Sequence, residues 1–392
     1  MNVLIVGAGI GGLTTALCLT KAGHEVTVLE QASEFEEVGA GLQCGANAVR
    51  VLDYLGLMPA LSKLAVEPTG VEFRDYRSGN SLYKIALGES YLDKYHAPYL
   101  HLHRFDLHSV LATKLQAMAS NSVMFGAKFG SYSEYSDGVT VTLADGRKIE
   151  GDCLVAADGI RSAVRSQLLG EQRPRFTGNV AWRGVVQSDK LPSNFMDRIV
   201  SNFVGPAKHA VIYYLRDQQL VNFVGVVENS KWIDDSWTVA APWQELKDDF
   251  GGWHETVQTL IDAMDRDQCY RWALYDHKAL ACWSSKRVTL LGDAAHATLP
   301  FMASGAAMAI EDARVLQRAL DQEQELGAAL ELYQRNRLTR TTKIQNNSRQ
   351  VGALYHINNS LLRRAAFAGL NLVGGSKEDF LPEYNANTVK LL

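Results

Sequence analysis

The chain has 392 residues, of which 47% are hydrophobic and 21% are charged, values that are ordinary for a folded globular protein. This length exceeds one average domain, so we expect two closely packed domains whose buried core is large enough to enclose a ligand. Lys and Arg total 39 against 43 for Asp and Glu, and no basic run is present. The charge balance therefore speaks against a nucleic-acid binder and favours a small-molecule ligand.

The five cysteines are scattered along the chain, with no CxxC pair and no histidine cluster at zinc spacing. We interpret them as buried free thiols of a reducing compartment, and we predict no metal site. No apolar run reaches membrane-spanning length, and the chain opens on a strand pattern in place of a signal peptide. We accordingly expect a soluble, cytoplasmic protein with no membrane contact.

The first elements in chain order are a strand, a turn, a helix and a second strand. Residues Asn2–Val6 form an apolar run rich in Val and Ile, which predicts a buried strand. The turn GAGIGG follows, then a helical pattern and a strand over 26–29. Further helices are predicted over 47–55 and over 106–118, the latter entered through a strand over 98–102.

Two later segments, 69–87 and 180–227, have a different pattern. In them apolar and polar residues alternate, and turn residues separate the alternating runs. Alternation with period two predicts an antiparallel sheet. Residues 123–150 indicate a small meander, and 154–158 form another buried strand. The chain then returns to a buried strand, a Gly-Asp turn and a long amphipathic helix that begins at Gly305.

The GAGIGG turn places Gly7, Gly9 and Gly12 at GxGxxG spacing between a strand and a helix. In that context Gly7 permits the tight turn, Gly9 lets a pyrophosphate approach the backbone, and Gly12 allows close helix packing. The helix N-terminus supplies positive potential to the phosphates. Glu30, at the end of the second strand, is placed to accept hydrogen bonds from an adenosine ribose. The motif in this context predicts a dinucleotide site.

A second motif is GDAAH, followed by a loop and the helix from Gly305. Asp293 at a strand end can bind a polyol hydroxyl, Pro300 makes the loop rigid, and Gly305 lets a flat ring approach the backbone. The N-terminus of the helix points its positive end at whatever precedes it, which would stabilise an anionic ring. An Asp after a strand is by itself more often a simple helix cap.

Four motifs occur in a fixed order along nearly the whole chain: GAGIGG with Glu30, HRFDLH around Arg104, LVAADGIRSAVR around Asp158, and GDAAHATLPFMASGAAMAIED. In this order they resemble the single-component FAD-dependent aromatic hydroxylases, and most of all the salicylate and 3-hydroxybenzoate hydroxylase group. The resemblance implies a tightly bound FAD. Since only one Rossmann fingerprint is present, NADH or NADPH is expected to bind transiently.

The resemblance also assigns residues to the cofactor. It implies that Arg104 contacts the FAD diphosphate, that Asp158 and Gly159 serve both FAD and the pyridine nucleotide, and that Asp293 holds the ribityl chain. Gly305 and Ala306 would present backbone to the isoalloxazine. The complete predicted cofactor-binding set is Gly7, Gly9, Ile10, Gly11, Gly12, Glu30, Gln31, Arg104, Phe129, Asp158, Gly159, Asp293, Pro300, Gly305 and Ala306.

Together these patterns predict an α/β (α+β) fold, with a Rossmann-type FAD-binding domain, an inserted antiparallel-sheet substrate domain and C-terminal helices. The FAD-binding domain is expected to be discontinuous, over 1–68, 98–177 and 280–350. The sheet domain takes 69–97 and 178–279, and a helical segment takes 351–392. Helical regions such as 333–349 could support a homodimer, which one sequence does not decide.

Two residues are the predicted catalytic pair. His209 and Tyr213 are four apart on an alternating strand, so their side chains point to the same face of the sheet. The family resemblance puts a His and a Tyr at these two places, over the substrate and the flavin. A histidine suits removal of a phenol proton, which makes the ring a better nucleophile. Without the resemblance, an exposed strand His beside a packed Tyr would be the simpler interpretation.

Three further residues are candidates for substrate contact, namely Gln43, Arg183 and Phe301. Arg183 could anchor a substrate carboxylate or pair with a nearby buried acid, and the sequence leaves both readings open. The hydroxynicotinate hydroxylases have His at the positions of Gln43 and Phe301, and the urate hydroxylases have Arg at that of His209. Ser304 stands where many relatives have Gln. The comparisons with the hydroxynicotinate and urate hydroxylases favour a phenolic ring, and Ser304 indicates an altered pocket near the flavin N5.

The predicted reaction is hydroxylation of a phenolic, salicylate- or hydroxybenzoate-like acid with NAD(P)H and O2, which the resemblance implies proceeds through a flavin hydroperoxide. Three alternatives stay open at this point. The substrate could be an N-heteroaromatic ring such as a hydroxypyridine or urate, the enzyme could be a flavin reductase or oxidase, or the chain could bind flavin without catalysis. Fold alone does not separate them.

Overall fold

The computed structural model describes residues 1–35, 41–229, 238–267, 269–373 and 379–392. Within these residues the strands are, in chain order, β1 (Asn2–Val6), β2 (Glu25–Leu29), β3 (Gly41–Cys44), β4 (Gly70–Asp75), β5 (Ser81–Ala86), β6 (Leu100–His103), β7 (Val123–Met124), β8 (Phe129–Glu134), β9 (Val139–Leu143), β10 (Lys148–Gly151), β11 (Cys153–Ala156), β12 (Arg175–Gln187), β13 (Val200–Gly205), β14 (Lys208–Leu215), β15 (Leu220–Glu228), β16 (Thr238–Ala240), β17 (Tyr270–Asp276) and β18 (Val288–Leu290).

The helices alternate with these strands and then dominate the C-terminal part of the chain. In chain order they are α1 (Ile10–Lys21), α2 (Ala46–Tyr54), α3 (Met58–Leu61), α4 (Glu89–Tyr95), α5 (Arg104–Met118), α6 (Ala163–Leu169), α7 (Trp243–Asp249), α8 (Glu255–Asp262), α9 (Asp293–His296), α10 (Gly305–Gln322), α11 (Leu326–Tyr355), α12 (Ser360–Val373) and α13 (Phe380–Glu383), with 3-10 turns at Ser188–Lys190 and Pro300–Met302. Among the described helices, none is long and apolar enough to cross a membrane.

A five-stranded parallel sheet forms the nucleotide-binding unit, in the order β18-β11-β1-β2-β7. All residues of β11 and β18 are buried, as expected for a parallel sheet covered by helices on both faces. Helix α1 follows β1 directly and packs against α5 and α10. Chain reversal after α1 takes place at Gly23, whose φ of +88° lies in the left-handed region that glycine tolerates. The predicted α/β fold class is confirmed.

The larger, eight-stranded sheet has the order β16-β17-β12-β15-β14-β13-β4-β5. Six of its strands come from or overlap the two segments whose residues alternate, and β16 and β17 come from later in the chain. The expectation of a wholly antiparallel sheet is wrong at one pair, because β13 and β4 run parallel. The physical reason is connectivity. The β4–β5 hairpin comes from an earlier segment of the chain and joins the edge of the sheet, so no hairpin turn sets its direction relative to β13.

The two faces of this sheet have different partners. One face packs against α7 and α8 in a hydrophobic cluster that includes Phe203, Phe223 and Phe250. The other face contacts the C-terminal helices through a second cluster, in which Val204 and Val226 pack near Tyr355 and Phe367. On β14, Ala210 and Ile212 belong to the first cluster, and the residues that alternate with them face the other way. This alternation directs one set of its side chains towards the nucleotide-binding unit.

The cysteines of the described residues form no disulfide, and Cys18, Cys44, Cys153 and Cys269 are buried. The expectation that all five are buried is wrong for Cys282, which is exposed. Cys282 lies between β17 and β18 in a stretch without regular structure, where no periodic pattern marks an inward-facing position. The division of the chain into the domains given above stays a prediction.

Candidate active site

The glycine turn after β1 is built by close backbone contacts. Gly7 has a φ of +97°, and a Cβ there would lie 2.6 Å from the carbonyl oxygen of Ala157. A Cβ at Gly12 would overlap the carbonyl oxygen of Gly7, so α1 approaches the turn as closely as backbone allows. Gly9 has no atom within 4 Å of the corresponding position. The turn therefore leaves one open side, at Gly9, where a phosphate could approach.

Glu30 closes this turn from the end of β2. Its carboxylate accepts hydrogen bonds from the backbone N–H of Ala8 at 2.8 Å and from that of Ala32 at 2.9 Å. The two bonds fix the carboxylate beside the glycine turn and leave further lone pairs for an added donor. This geometry fits a carboxylate that holds the two hydroxyls of a ribose.

Asp293 and Arg104 lie near enough for their charges to interact. The Asp293 side chain is accessible to solvent, yet protein surrounds it closely enough that burial raises the pKa of its carboxyl. Arg104, also accessible, lowers that pKa through its charge. Asp293 makes no hydrogen bond with any described residue. An unpartnered carboxylate that protein surrounds on several sides fits a ligand that brings hydroxyl groups, such as a polyol chain.

Asp158 follows β11 and has a structural role of its own. Its Oδ2 accepts from the backbone N–H of Ala163 at 2.8 Å and of Val164 at 3.3 Å, which caps α6. Its Oδ1 is buried and has no hydrogen-bond partner among the described residues. Burial raises the pKa of this carboxyl. Gly159 comes next, with a φ of +77° and open space where a Cβ would stand.

The loop before α10 forms a second glycine-containing cradle. Pro300 starts a 3-10 turn, and Ala303 has a φ of +48°, so the chain bends sharply before the helix. The nearest atom to a Cβ at Gly305 would be 4.0 Å away. Gly305 and Ala306 are the first residues of α10, where backbone N–H groups have no partner within the helix. This cradle fits a flat, electron-rich ring.

Four other predicted cofactor residues lie differently. Ile10 is buried, and a Cβ at Gly11 would contact Leu291 at 3.0 Å, so both residues face the protein core. Gln31 is exposed directly after β2, and Phe129 starts β8 and packs against the core of the nucleotide-binding unit. Their part in cofactor binding stays a prediction.

Tyr213 sits in a compact polar cluster on the face of β14 that points towards the nucleotide-binding unit. Its ring centroid lies 4.5 Å from that of His101, and a Cβ at Gly41 would be 2.5 Å from its hydroxyl. The hydroxyl interacts with Gln43, whose Oε1 accepts from Tyr99 at 2.6 Å. Burial raises the pKa of Tyr213, so its phenol is protonated and able to donate at neutral pH.

Arg183 on β12 is a half-buried cation for which the described residues provide no acidic partner. Its guanidinium lies 5.6 Å from the centroid of the Trp272 ring, and its Nε has no hydrogen-bond partner in the described ranges. Burial lowers its pKa, and its charge acts on Tyr213. No ion pair between Arg183 and a carboxylate exists in the described part of the chain. Of the two readings that the sequence left open, pairing with a nearby acid therefore receives no support.

His209 faces the same side as Tyr213 and is buried among aromatic rings. Its ring centroid lies 5.2 Å from that of Phe301 and 5.2 Å from that of Tyr355. Its Nδ1 is 2.7 Å from Nε2 of His356, and Nδ1 of His356 is 2.9 Å from Oε1 of Glu228. Burial lowers the pKa of His209 well below its ordinary value, and the nearby His356 adds to that effect. His209 is thus neutral at pH 7.

Comparison with known proteins decides the family. A model described as "FAD binding domain" matches residues 1–348 of the chain. The chain belongs to this FAD-binding family. A 3-amino-4-hydroxybenzoate 2-monooxygenase of Streptomyces platensis is 38% identical over 91% of this chain and 89% of that protein. A 3-hydroxybenzoate 6-hydroxylase of Polaromonas naphthalenivorans is 36% identical over 91% of this chain and 88% of that one.

A solved structure of a family member supports the same placement. The chain matches a Klebsiella pneumoniae protein complexed with FAD and uric acid, with a TM-score of 0.85, 27% identity, and coverage of 98% and 96% of the two chains. The protein is thus an FAD-dependent monooxygenase of the aromatic hydroxylase group, with FAD as cofactor and NAD(P)H as co-substrate. The glycine turn, the Asp293 carboxylate and the α10 cradle fit this cofactor.

A buried ionic network holds residues 292–296, the segment that carries Asp293, against helices α10 and α11. Asp312 of α10 accepts from the backbone N–H of Gly292 at 3.0 Å and lies 2.6 Å from His296 Nε2. Arg337 of α11 donates to Asp312 at 2.6 Å and to Glu311 at 2.7 Å. Burial alone would raise the pKa of Asp312, but His296 and Arg337 hold it at about 2. The network therefore positions the loop that carries Asp293.

Sequence reasoning missed this network and also missed His356 and Glu228. One signal for the network is present in GAAMAIEDARVLQRAL, where Glu311 and Asp312 interrupt an apolar helix face. Acidic residues inside an apolar stripe must find partners when buried, and the Arg-rich helix that follows provides them. His356 carries no such signal, because it lies at the end of α11 beside a segment without a recognisable motif.

Proposed function

We propose that this flavin hydroxylase acts on a phenolic aromatic acid of the hydroxybenzoate type. The observation that carries the proposal is Arg183, a half-buried guanidinium that has no carboxylate partner among the described residues. It interacts with Tyr213 on the sheet face that also bears His209. A guanidinium in that position would be stabilised by a substrate carboxylate. The relatives that act on hydroxybenzoates, at 38% and 36% identity, support the same class.

Each part of the pocket has a distinct role in this proposal. Bound FAD supplies the oxygen-transfer chemistry, with NAD(P)H as electron donor and O2 as oxidant. Gly9, Glu30 and Asp293 would hold the FAD phosphates, ribose and ribityl chain, and the N-terminus of α10 would face its ring. The remaining steps belong to the substrate side of the pocket.

On the substrate side, Arg183 binds the carboxylate and Tyr213, supported by Gln43, donates a hydrogen bond that orients the ring. His209 removes the phenol proton, because a phenolate carries more electron density to the carbon that is attacked. Phe301 packs against His209 and excludes water from the reacting atoms. The site thus combines an anchor, an orienting donor and a base.

The direct test is oxidation of NADH and NADPH by the FAD-loaded protein against a substrate panel. The panel contains salicylate, 3-hydroxybenzoate, 3-amino-4-hydroxybenzoate, hydroxypyridines and urate, and product mass is read in 18O2. We expect fast oxidation with a phenolic acid and one labelled oxygen in the product. Oxidation that yields only peroxide with every phenolic acid would contradict the proposal.

Replacement of Arg183 tests the carboxylate anchor. Arg183→Met should raise KM for the acid substrate at least roughly tenfold, because a charge-assisted hydrogen bond contributes about 1.5–3 kcal/mol. The matched control is the same phenol without its carboxyl group, whose binding should not change. Steady-state kinetics and flavin difference spectra measure both. An equal loss for the acid and the neutral phenol would show that Arg183 supports folding or flavin binding instead.

Replacement of His209 tests the base. His209→Ala should lower turnover at least about tenfold while FAD stays bound, because general bases typically contribute 10²–10⁴-fold. His254→Asn is a matched control, since His254 stacks on Phe203 at the opposite face of the same sheet. Turnover and flavin absorbance are measured for both variants. Near-wild-type turnover of His209→Ala would exclude a base at this position.

An N-heteroaromatic substrate is the second candidate, favoured by the match to the uric acid complex at a TM-score of 0.85. Faster turnover of urate or a hydroxypyridine than of any phenolic acid in the panel would establish it.

We further propose a cytoplasmic location, which the absence of disulfides among the described cysteines supports. A homodimer stays a prediction, and analytical ultracentrifugation tests it.

A further inference from the structure

We propose that His209, His356 and Glu228 form a proton-exit path, through which the phenol proton of the substrate leaves the active site for a surface cavity. The proposal rests on the proposed function, in which His209 receives that proton. It adds two positioning residues, His356 and Glu228, and an exit. The reaction class served is the deprotonation step before ring hydroxylation.

The three side chains form one continuous hydrogen-bonded chain. Nδ1 of His209 lies 2.7 Å from Nε2 of His356, and Nδ1 of His356 lies 2.9 Å from Oε1 of Glu228. Both separations are within ordinary hydrogen-bond length. The backbone holds the middle of the chain in place, because the carbonyl of His356 accepts from the N–H of Ala207 at 3.3 Å and Ala207 accepts from the N–H of Glu228 at 3.0 Å.

The acceptor at the end of the chain fixes the tautomers of both rings. A carboxylate only accepts hydrogen bonds, so Glu228 requires a proton on Nδ1 of His356. A neutral His356 then has an unprotonated Nε2, which requires a proton on Nδ1 of His209. The remaining nitrogen of a neutral His209, Nε2, is therefore unprotonated. The chain presents His209 as a base with its lone pair on the side away from His356.

Exposure increases along the chain from the interior to the surface. The exposed fraction is 2% for His209 as a residue, 5% for the His356 side chain and 51% for that of Glu228. His356 and Glu228 line a cavity of about 390 Å³ that is open to solvent. Phe301 separates this cavity from His209 on one side. A proton can thus leave by hydrogen-bonded groups without an open water channel through the pocket.

In this step the path takes one proton from the substrate and releases one proton at its other end. The phenol O–H bond breaks and its proton forms a bond with His209 Nε2. The Nδ1 proton of His209 passes to His356 Nε2, and the Nδ1 proton of His356 passes to Glu228 or to water in the cavity. No electron changes place. Burial lowers the pKa of both histidines, so neither ring holds the extra proton and onward transfer is favoured.

Other charged groups near the path from His209 to Glu228 are already paired. In the cavity, Asp276 on β17 binds both Arg175 on β12 and Arg349 on α11, at 2.9 Å and 2.8 Å. On the side of α12, Arg363 binds Asp75 of β4 at 3.1 Å. The rings of Phe301 and Tyr355 flank His209. Glu228 is thus the carboxylate that His356 contacts directly, and it is the one open to solvent.

The test follows proton release when oxidised, FAD-loaded protein binds 3-hydroxybenzoate or 3-amino-4-hydroxybenzoate. Stopped-flow records the phenolate absorbance of the bound acid and the response of a pH dye in weak buffer. In His356→Phe, which keeps a ring but no nitrogen, we expect release to slow at least about tenfold with little change in the dissociation constant. Asn179→Ala changes a residue that lines the same cavity but does not belong to the hydrogen-bonded path, and it should behave as wild type.

Two further measurements separate a proton path from a folding effect. Added imidazole should enter the cavity of His356→Ala and restore much of the release rate, which a merely structural defect would not allow. 15N NMR of histidine-labelled protein should show His209 protonated at Nδ1 in wild type and a shift towards Nε2 protonation in His356→Phe. Absence of both effects would overturn the path.

The outcomes distinguish this proposal from the proposed function. Suppose that wild type hydroxylates 3-hydroxybenzoate or 3-amino-4-hydroxybenzoate, but His356→Phe releases the proton at the wild-type rate. The proton path is then wrong and the hydroxylase function stands. If wild type binds and hydroxylates neither acid, the proposed function is wrong and the path falls with it. Slowed release in His356→Phe with rescue by imidazole in His356→Ala supports both.

Discussion

Gly12→Ala is expected to abolish recovery of folded, FAD-containing protein. A Cβ at this position would overlap the carbonyl oxygen of Gly7, which is fixed by the parallel sheet and cannot give way like a flexible side chain. Core overpacking typically costs about 1–3 kcal/mol, and a clash between backbone and Cβ belongs at or above the upper end. Flavin absorbance after gel filtration and thermal unfolding by circular dichroism measure the result.

Gly9→Ala is the matched control, because the same methyl group meets no atom within 4 Å at that position. Gly9 has an extended backbone with φ of −71°, which alanine adopts without strain. This variant should fold with near-wild-type stability and bind FAD more weakly, since the methyl occupies the side where a phosphate would approach. Equal behaviour of the two variants would contradict the distinction between packing glycine and phosphate-facing glycine.

Arg337→Met is expected to lower the free energy of unfolding by about 3–5 kcal/mol, because it leaves buried Glu311 and Asp312 with too little positive charge. Arg337 and both carboxylates are fully buried. Arg340 also pairs with Glu311, so Asp312 is the carboxylate that loses most. Urea unfolding followed by tryptophan fluorescence measures the loss. FAD content should fall in parallel, because Asp312 holds the backbone N–H of Gly292 beside Asp293.

Arg173→Met makes the same chemical change at an exposed pair and serves as its control. The side chains of Arg173 and Glu171 are 88% and 75% exposed, so solvent screens their attraction and no measurable change is expected. If Arg337→Met were no more harmful than Arg173→Met, the buried network would not be what positions the flavin loop.

The parts of the fold that local patterns describe could be predicted from the sequence. The GAGIGG turn, its flanking strand and helix, and the alternating strand with His209 and Tyr213 on one face all follow from short-range periodicity. The parallel pairing of β4 with β13 could not be predicted, because it joins segments far apart in the chain. Periodicity gives the faces of a strand but does not give its neighbours.

The candidate site shows the same limit. His209 could be singled out as a candidate base from its strand and the family resemblance. His356 and Glu228 lie 147 and 19 residues further on, and only the fold brings the three together. Arg183 could be singled out as a cation, while its lack of an acidic partner is a property of the folded chain. Partners between distant segments are set by packing, which no local pattern records.

The contact between the sheet and the last helices also has a consequence for the order in which the protein assembles during synthesis. Three residues with different roles emerge after all the described strands have been made. Arg337 holds the segment that carries Asp293, His356 continues the hydrogen-bonded path from His209, and Phe367 covers the second face of the sheet. A nascent chain without α11 and α12 therefore exposes an apolar sheet face that bears His209. The active site is thus completed last, by the C-terminal helices.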